Sequence, residues 1–453
     1  MREWSLRASR QFHPIIHILS RRFNFNRVEW KDRVAGYASG HPYLNAAMLF
    51  TIMYNGAIAN PILSRCKSSR SVSYACSSTN PDVILASEDV QDVCQKLSMD
   101  RSLDYITVSN KLVREAMNQS VTMLKSQMPK PKILAGEYPH VMCRISKGRT
   151  LGRGRTTVWT HADLDGQIKA LETLLGWDLS DYVYCDAGDN IQSVELLSLF
   201  ALHSACSFNY KGKMVNALAS EHSCAPTILI GDRSFFYKLI HPLSVERPAV
   251  KLDLSKLRSA FLWDDSNIPV TETLRAQWRL KSSVPLTDLY RTSETGVVDV
   301  APYAFMKPNS ELRFPIDTGL KYMNKGCLVP MHLVANAEDG LFHTDDRIDR
   351  GKLHFSPFEG HVLDSGFASE VAMTNIQSGQ PAVAVALRKE HASQAGIQRL
   401  KEYVSQFVQP VDLPAFAAFS NDYVLRNRVG SIDPLFLKNE AKFAPFRWSL
   451  HAK

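Results

Sequence analysis

An α/β fold is predicted by the alternation of short apolar runs with longer helical stretches along the 453 residues. Asp82-Val-Ile-Leu-Ala86 is a short apolar run suited to a strand buried in a parallel sheet, and Pro381-Ala-Val-Ala-Val-Ala-Leu387 reads as another strand. His41–Ala59, Leu164–Leu175 and Gln394–Val408 have the length and patterning of helices. With 45% apolar and 22% charged residues, the composition is that of a globular chain with room for two or three domains. No apolar run is long enough to span a bilayer. Ala46–Ala59 comes nearest, but Asn55-Gly56 interrupts it, so a buried helix is expected there and no membrane span anywhere.

Charge and cysteine usage narrow the class further. The eight cysteines form no CxxC pair and show no metal-type spacing with histidine, so reduced, buried thiols in a non-oxidising compartment are expected. Residues 1–28 hold six arginines, no lysine and one acid, Glu3, which is +5 of the net +8 and leaves +3 for the rest. Phe12, Ile15, Ile16, Leu19 and Phe23 recur there at helical spacing. An Arg-rich, acid-poor, amphipathic leader is the composition of a mitochondrial transit peptide, and a basic surface helix is the alternative.

The helix at His41–Ala59 should end at Asn55-Gly56, where glycine accepts a left-handed cap. Asn60-Pro61-Ile62-Leu63 then opens a strand, a polar helix follows, and Asp82–Ala86 is the next strand. Ile145-Ser-Lys-Gly-Arg-Thr-Leu-Gly-Arg-Gly-Arg155 is a small-residue turn crowded with cations, followed by the strand Thr156-Thr-Val-Trp-Thr160 and His161. Small residues let backbone N–H groups wrap phosphate oxygens. It is not a Walker loop, because five residues separate Gly148 from Gly154 and arginine replaces the lysine. Its basic side chains, with Arg144 just upstream, suit phosphate, RNA or an acidic partner, or simply solvent. Asp186-Ala-Gly-Asp-Asn190 reads as an exposed turn, with Asp186 and Asp189 as the alternative acid/base or Mg²⁺ pair.

Tyr290-Arg-Thr-Ser-Glu-Thr-Gly296 resembles the YGxTE(T)G loop of the adenylate-forming acyl-CoA synthetase family, and other landmarks lie collinear with it. The stretch through residues 41–94 resembles the malonyl-CoA synthetase-like members. Residues 145–161 stand where that family has its Ser/Thr/Gly phosphate loop, exit strand and Thr-His pair, here Thr160-His161. Asp339-Gly-Leu-Phe-His-Thr-Asp-Asp346 is similar to DGWFHTGD, and Leu425-Arg-Asn-Arg-Val-Gly-Ser-Ile-Asp433 to the terminal P-R-N-x-x-G-K motif. The resemblance implies a large N-terminal α/β domain with stacked sheets, residues 29–355, and a small C-terminal α+β domain, residues 356–453, after a transit peptide at 1–28.

It also implies roles. Tyr290 would lie beside adenine, Ser293 would meet the α-phosphate and acyl carboxylate, Glu294 would help hold Mg²⁺, and Asp346 would bond the ribose. Ser146, Gly148, Thr150 and Gly152 would be what remains of the phosphate loop, whose other positions carry Lys147, Arg149, Leu151, Arg153 and Arg155. Several expected groups are replaced. Ser431 stands in the place of the lysine that bridges acyl carboxylate and α-phosphate. The gate turn at Asp186–Asn190 has no histidine, and Ser356-Pro-Phe-Glu-Gly360 falls where an Arg-containing inter-domain hinge belongs, after a hairpin at Gly351–Phe355. The adenine-side glycines give way to Phe261-Leu-Trp-Asp-Asp-Ser-Asn-Ile-Pro269, where Trp263 or Asp264 would obstruct the purine and Pro269 would head the next helix.

These substitutions collect on nucleotide and acyl chemistry, which makes a mitochondrial matrix pseudoenzyme the expectation: no adenylation, no catalytic residue, no cofactor, and a role in a protein complex. The first alternative is an active AMP-forming acyl- or malonyl-CoA ligase of fatty acid metabolism, with ATP, Mg²⁺ held by Glu294, and CoA. The second is an RNA- or ribonucleoprotein-associated factor using the basic loop of Arg144, Lys147, Arg149, Arg153 and Arg155.

Overall fold

The computed structural model describes residues 34–38, 42–62, 76, 79–109, 111, 140–145, 156–186, 191–204, 206–210, 225–240, 253–263, 271–292, 296–301, 311–312, 333–335, 342–344, 355–375, 381–407, 415–420 and 450–451. The chain forms two compact units, Met1–Ser146 with Arg155–Ile228, and the remainder. The boundary expected at 355/356 thus falls inside the second unit. The leader at 1–28 lies outside the described residues.

The first unit opens with β1 (Val34–Ala38), α1 (Pro42–Tyr54), β2 (Ile58–Pro61), β3 (Val83–Ser87), α2 (Gln91–Arg101) and β4 (Asp104–Val108). It continues with β5 (His140–Ile145), β6 (Thr156–Thr160), α3 (His161–Leu175), β7 (Tyr182–Asp186), α4 (Ile191–His203) and β8 (Ser207–Tyr210). Six strands make one sheet in the order β4-β3-β1-β2-β5-β6, parallel except for the antiparallel pair β5–β6. All five residues of β3 are buried between its parallel neighbours β1 and β4, which is why that run is apolar without alternation. α1 ends where expected, with Asn55 N–H bonded back to Thr51 O at 3.1 Å and Gly56 at φ +78°.

β7 and β8 pair in parallel on either side of α4. Below β7, buried Asp181 accepts from the Thr227 hydroxyl at 2.7 Å and from Asp178 N–H at 2.9 Å, so this carboxylate is a turn brace. Inside the unit, the Tyr37 hydroxyl donates to Glu195, both fully enclosed, linking β1 to α4.

From Leu229, within β9 (Ile228–Gly231), the second unit continues with α5 (Arg233–Ile240), β10 (Ser259–Leu262), α6 (Glu272–Arg279), β11 (Leu286–Thr292) and β12 (Gly296–Ala301). Here the strands run in the order β12-β11-β10-β9, with β10 parallel to β11 and β11 antiparallel to β12. A three-stranded piece follows from β13 (Glu311–Leu312), β14 (Leu333–Ala335) and β15 (Phe342–Thr344), with β15 central and both pairings antiparallel.

The chain then forms α7 (Phe355–Asp364), β16 (Ala368–Asn375), β17 (Pro381–Leu387), α8 (Gln394–Val404), β18 (Ala415–Ser420) and β19 (Leu450–His451). β17 sits between antiparallel β16 and parallel β18, and β19 pairs in parallel with β18. The Pro381–Leu387 run has a simple logic. Alternation aims Val383, Val385 and Leu387 into one core with Phe358, Val362, Ile397, Leu400 and Val404, while Ala382, Ala384 and Ala386 line the opposite, equally buried face.

Two expectations are corrected. Ser356–Gly360 is not a hinge: it lies within α7, where Phe358 joins the core and buried Glu359 accepts from Met373 N–H at 2.9 Å. A carboxylate bonded to a strand N–H and an apolar i, i+4 face make this stretch a packed helix of the C-terminal layer. Pro269 does not head α6 either. The helix starts at Glu272, three residues further on, where Thr271 caps it with the hydroxyl accepting from Leu274 N–H at 3.3 Å.

Candidate functional site

The basic turn is carried by a β-hairpin. β5 and β6 pair through Arg144↔Thr157 and Ile145↔Thr156, so the connection Ser146–Arg155 leaves from the end of a ladder. Those ten residues lie outside the described set, as do the individual positions of Ser146, Lys147, Gly148, Arg149, Thr150, Gly152, Arg153 and Arg155; Arg144 is on β5.

At the far end of β6, Thr160 is the N-cap of α3. Its hydroxyl accepts from Asp163 N–H at 3.1 Å, while Asp163 accepts from Thr160 N–H at 2.8 Å, a complete capping box. Gly176 closes the same helix at φ +54°, with open space around the missing Cβ, so it is there for the backbone and not for packing. His161 follows Thr160 with an exposed side chain whose pKa the adjacent protein lowers by desolvation. The sequence pattern strand, Thr-His, helix is therefore present, and the threonine is engaged in ending a strand and starting a helix.

Tyr290–Gly296 forms the corner between β11 and β12. Thr292 pairs with Gly296 and Arg291 with Val297, and the ladder shifts register between Tyr290 and Arg291. Such a bulge bends the strand just before its turn. Ser293, Glu294 and Thr295 lie outside the described residues. Because β10 runs parallel to β11, the carboxyl end of β10 lies on the same sheet edge as this corner. That edge is where α/β sheets bind ligands.

The residue that follows β10 there is Trp263. It is 1% exposed, and its N–H donates to Gly231 O at 2.8 Å at the end of β9. A purine lying flat on the backbone needs glycine at that edge; the structure has a buried indole.

Phe342-His343-Thr344 of the Asp339–Asp346 motif is strand β15, and Asp339, Asp345 and Asp346 lie outside the described residues. Asp186 ends β7, half-buried, and Asp189 is outside them, so the carboxylate pair is not brought together among described residues. Ser431 is also outside them. Among the described residues no group of three or more His, Cys, Asp or Glu side chains could hold a metal ion, and no helix is long and apolar enough to cross a membrane.

Five described cysteines, Cys76, Cys94, Cys143, Cys185 and Cys206, are buried thiols, as their spacing predicts. Burial pushes Cys94, beside Asp89, and Cys143 up to about 11, which makes them poor nucleophiles.

With this geometry in place, the class of fold is clear: it is the acyl-CoA synthetase-like fold, a mixed α/β architecture with a large N-terminal domain. ATP-bound MatB from Rhodopseudomonas palustris superposes with a TM-score of 0.67 at 14% identity, covering 95% of this chain and 93% of that one. The anthranilate CoA ligase AuaEII in complex with anthranoyl-AMP gives 0.65 at 14% identity, over 95% and 92% of the two chains. The amide bond synthetase McbA from Marinactinospora thermotolerans gives 0.64 at 13% identity, over 95% and 93%. No family model matches the sequence, and no curated protein matches it either. At such identities the likeness is one of fold.

Sequence reading missed one cluster of charged groups altogether, Arg233 and Asp364 in the second unit, which are 131 residues apart and fully enclosed. No motif marks them. The only trace in sequence is an aspartate ending an apolar-faced helix.

Proposed function

We propose that the protein is an acyl-CoA synthetase fold that has lost adenylation and serves as an interaction component of a mitochondrial complex. The observation that carries this reading is Trp263, a wholly buried side chain at the sheet edge where the fold would otherwise offer glycine to a purine. Ser431, in the place of the bridging lysine, supplies neither positive charge nor reach for a developing pyrophosphate. Each such loss costs on the order of 10²–10³ in rate when a single preorganised stabilising group is removed. The losses need not multiply, because groups that act as a unit are non-additive.

The purified protein is expected to give no ATP–pyrophosphate exchange with malonate, acetate or longer fatty acids, and Ser431→Lys alone is not expected to restore it. Robust exchange by the wild type, abolished by Asp346→Ala, would overturn the reading. It would establish instead an AMP-forming acid–thiol ligase using ATP, Mg²⁺ and CoA. The observation favouring that second reading is the likeness to structures carrying ATP and an acyl-adenylate. The mitochondrial address rests on the Arg-rich, acid-poor leader.

A further inference from the structure

Within the second unit, the C-terminal layer of α7, β16, β17 and α8 has a hydrophobic core of its own, built on Phe358, Val362, Val371, Val383, Val385 and Leu400. Its attachment to α5 and α6 is of a different kind. Asp364, the last residue of α7, is 0% exposed at its side chain and forms an ion pair with Arg233 at the start of α5, itself 4% exposed. The second carboxylate oxygen of Asp364 accepts the N–H of Thr271, the N-cap of α6, at 3.2 Å. One buried carboxylate therefore joins the ends of three helices.

Two residues further on, Gly366 lies against the ring of Tyr237 from α5; a Cβ on Gly366 would fall 2.0 Å from Tyr237 Cζ. The guanidinium of Arg388, just after β17, is 5.9 Å from the centre of the same ring, and its Nε donates to Ala368 O at 3.2 Å. Tyr237 is thus gripped between the turn after α7 and the end of β17.

We infer that this joint is a clamp that fixes the C-terminal layer against α5 and α6 in one orientation. A buried ion pair adds little net stability over an apolar pair of the same size, because desolvation offsets the attraction. What it does supply is direction: swinging the layer away would part Arg233 and Thr271 from the two oxygens of Asp364. The Gly366–Tyr237 approach tolerates no displacement that brings a bulkier surface under the ring. The clamp does not rest on the loss of adenylation, and its test does not read activity.

The test is hydrogen exchange on the full chain. Asp364→Asn is expected to speed exchange at least tenfold in α5, the first turn of α6 and the last turn of α7, while β17 and the buried face of α8 keep wild-type protection. Tyr237→Leu, which removes the gripped ring without touching the charges, should give the same pattern and decides the matter if Asp364→Asn does not fold. Wild-type exchange at the joint in both variants would overturn the clamp. So would acceleration spread evenly through β17 and α8, since that is simple loss of stability in a single core.

Discussion

Replacing Trp263 by alanine separates two accounts of the residue that carries the functional proposal. If the indole is part of the interior, its removal leaves a cavity at the end of β10. Trp263 is 1% exposed and its backbone is already bonded to β9, so the surroundings have little freedom to collapse. A buried tryptophan cut to alanine costs about 3–5 kcal/mol. At about 1.4 kcal/mol per factor of ten, that is roughly two to three and a half decades in the folding equilibrium. It would also be a third or more of a total stability on the order of 10 kcal/mol.

Trp278 is the internal control. It is 0% exposed in the same unit, stacks edge-on against Phe236 at 5.1 Å, and donates Nε1–H to Val284 O at 2.8 Å. Trp278→Ala should cost a similar amount, plus about 1 kcal/mol for the hydrogen bond. Urea unfolding followed by circular dichroism reads both, and titration calorimetry with ATP reads the other side of the argument. The expected result is two comparably destabilised variants, neither of which binds ATP. A Trp263→Ala variant with an unchanged midpoint and newly acquired ATP affinity would refute the reasoning, because the indole would then be a plug in a preserved nucleotide site.

The remaining predictions concern pH and location. Burial lowers the pKa of His361, which stacks on Phe407 at 4.2 Å, Arg233 lowers it further against the opposing pull of Asp364, and burial lowers His391 as well. A folded-state pKa below the ordinary histidine value means the unfolded chain takes up protons first on acidification. Stability from these groups is present above about pH 6.5 and lost as pH falls through their folded values, so the urea midpoint should drop between about pH 7 and 5. His361→Gln should flatten that slope; an unchanged slope would remove His361 from the account. Deleting residues 2–28 from a tagged chain should leave it outside mitochondria, and unchanged import would dispose of the targeting proposal. Arg149, Arg153 and Arg155 changed together to alanine should weaken any RNA association and flatten its salt dependence; RNA binding unaffected by the triple change would exclude the basic loop.

The elements legible in sequence are those whose pattern reports a local or immediate-neighbour force. Val83–Ala86 reads as a strand with both faces covered, because a strand with one face in solvent alternates apolar and polar residues. The end of α1 at Asn55-Gly56, the Thr160 start of α3 and the alternation in Pro381–Leu387 are equally local, set by backbone conformation, capping and the two-residue period of a strand. Of the motifs, Tyr290–Thr292 and Gly296 fall at the facing ends of β11 and β12, and Phe342–Thr344 is strand β15.

Long-range contacts were not legible, and they decided the rest. Ser356–Gly360 reads as a linker by position, yet it is helix because Phe358 and Glu359 find a core and a strand N–H supplied by residues outside that stretch. Trp263 reads as an obstruction to the purine; the fold buries its side chain and bonds its backbone N–H to Gly231 O at the end of β9. Asp364 carries only a faint signal, its place at the end of an apolar-faced helix, until the fold brings Arg233 and Thr271 to its two oxygens across 131 and 93 residues of chain. Periodicity records which face of an element is buried. What lies against that face is set only when the whole chain has packed, and there an ordinary aspartate becomes the point where three helices meet.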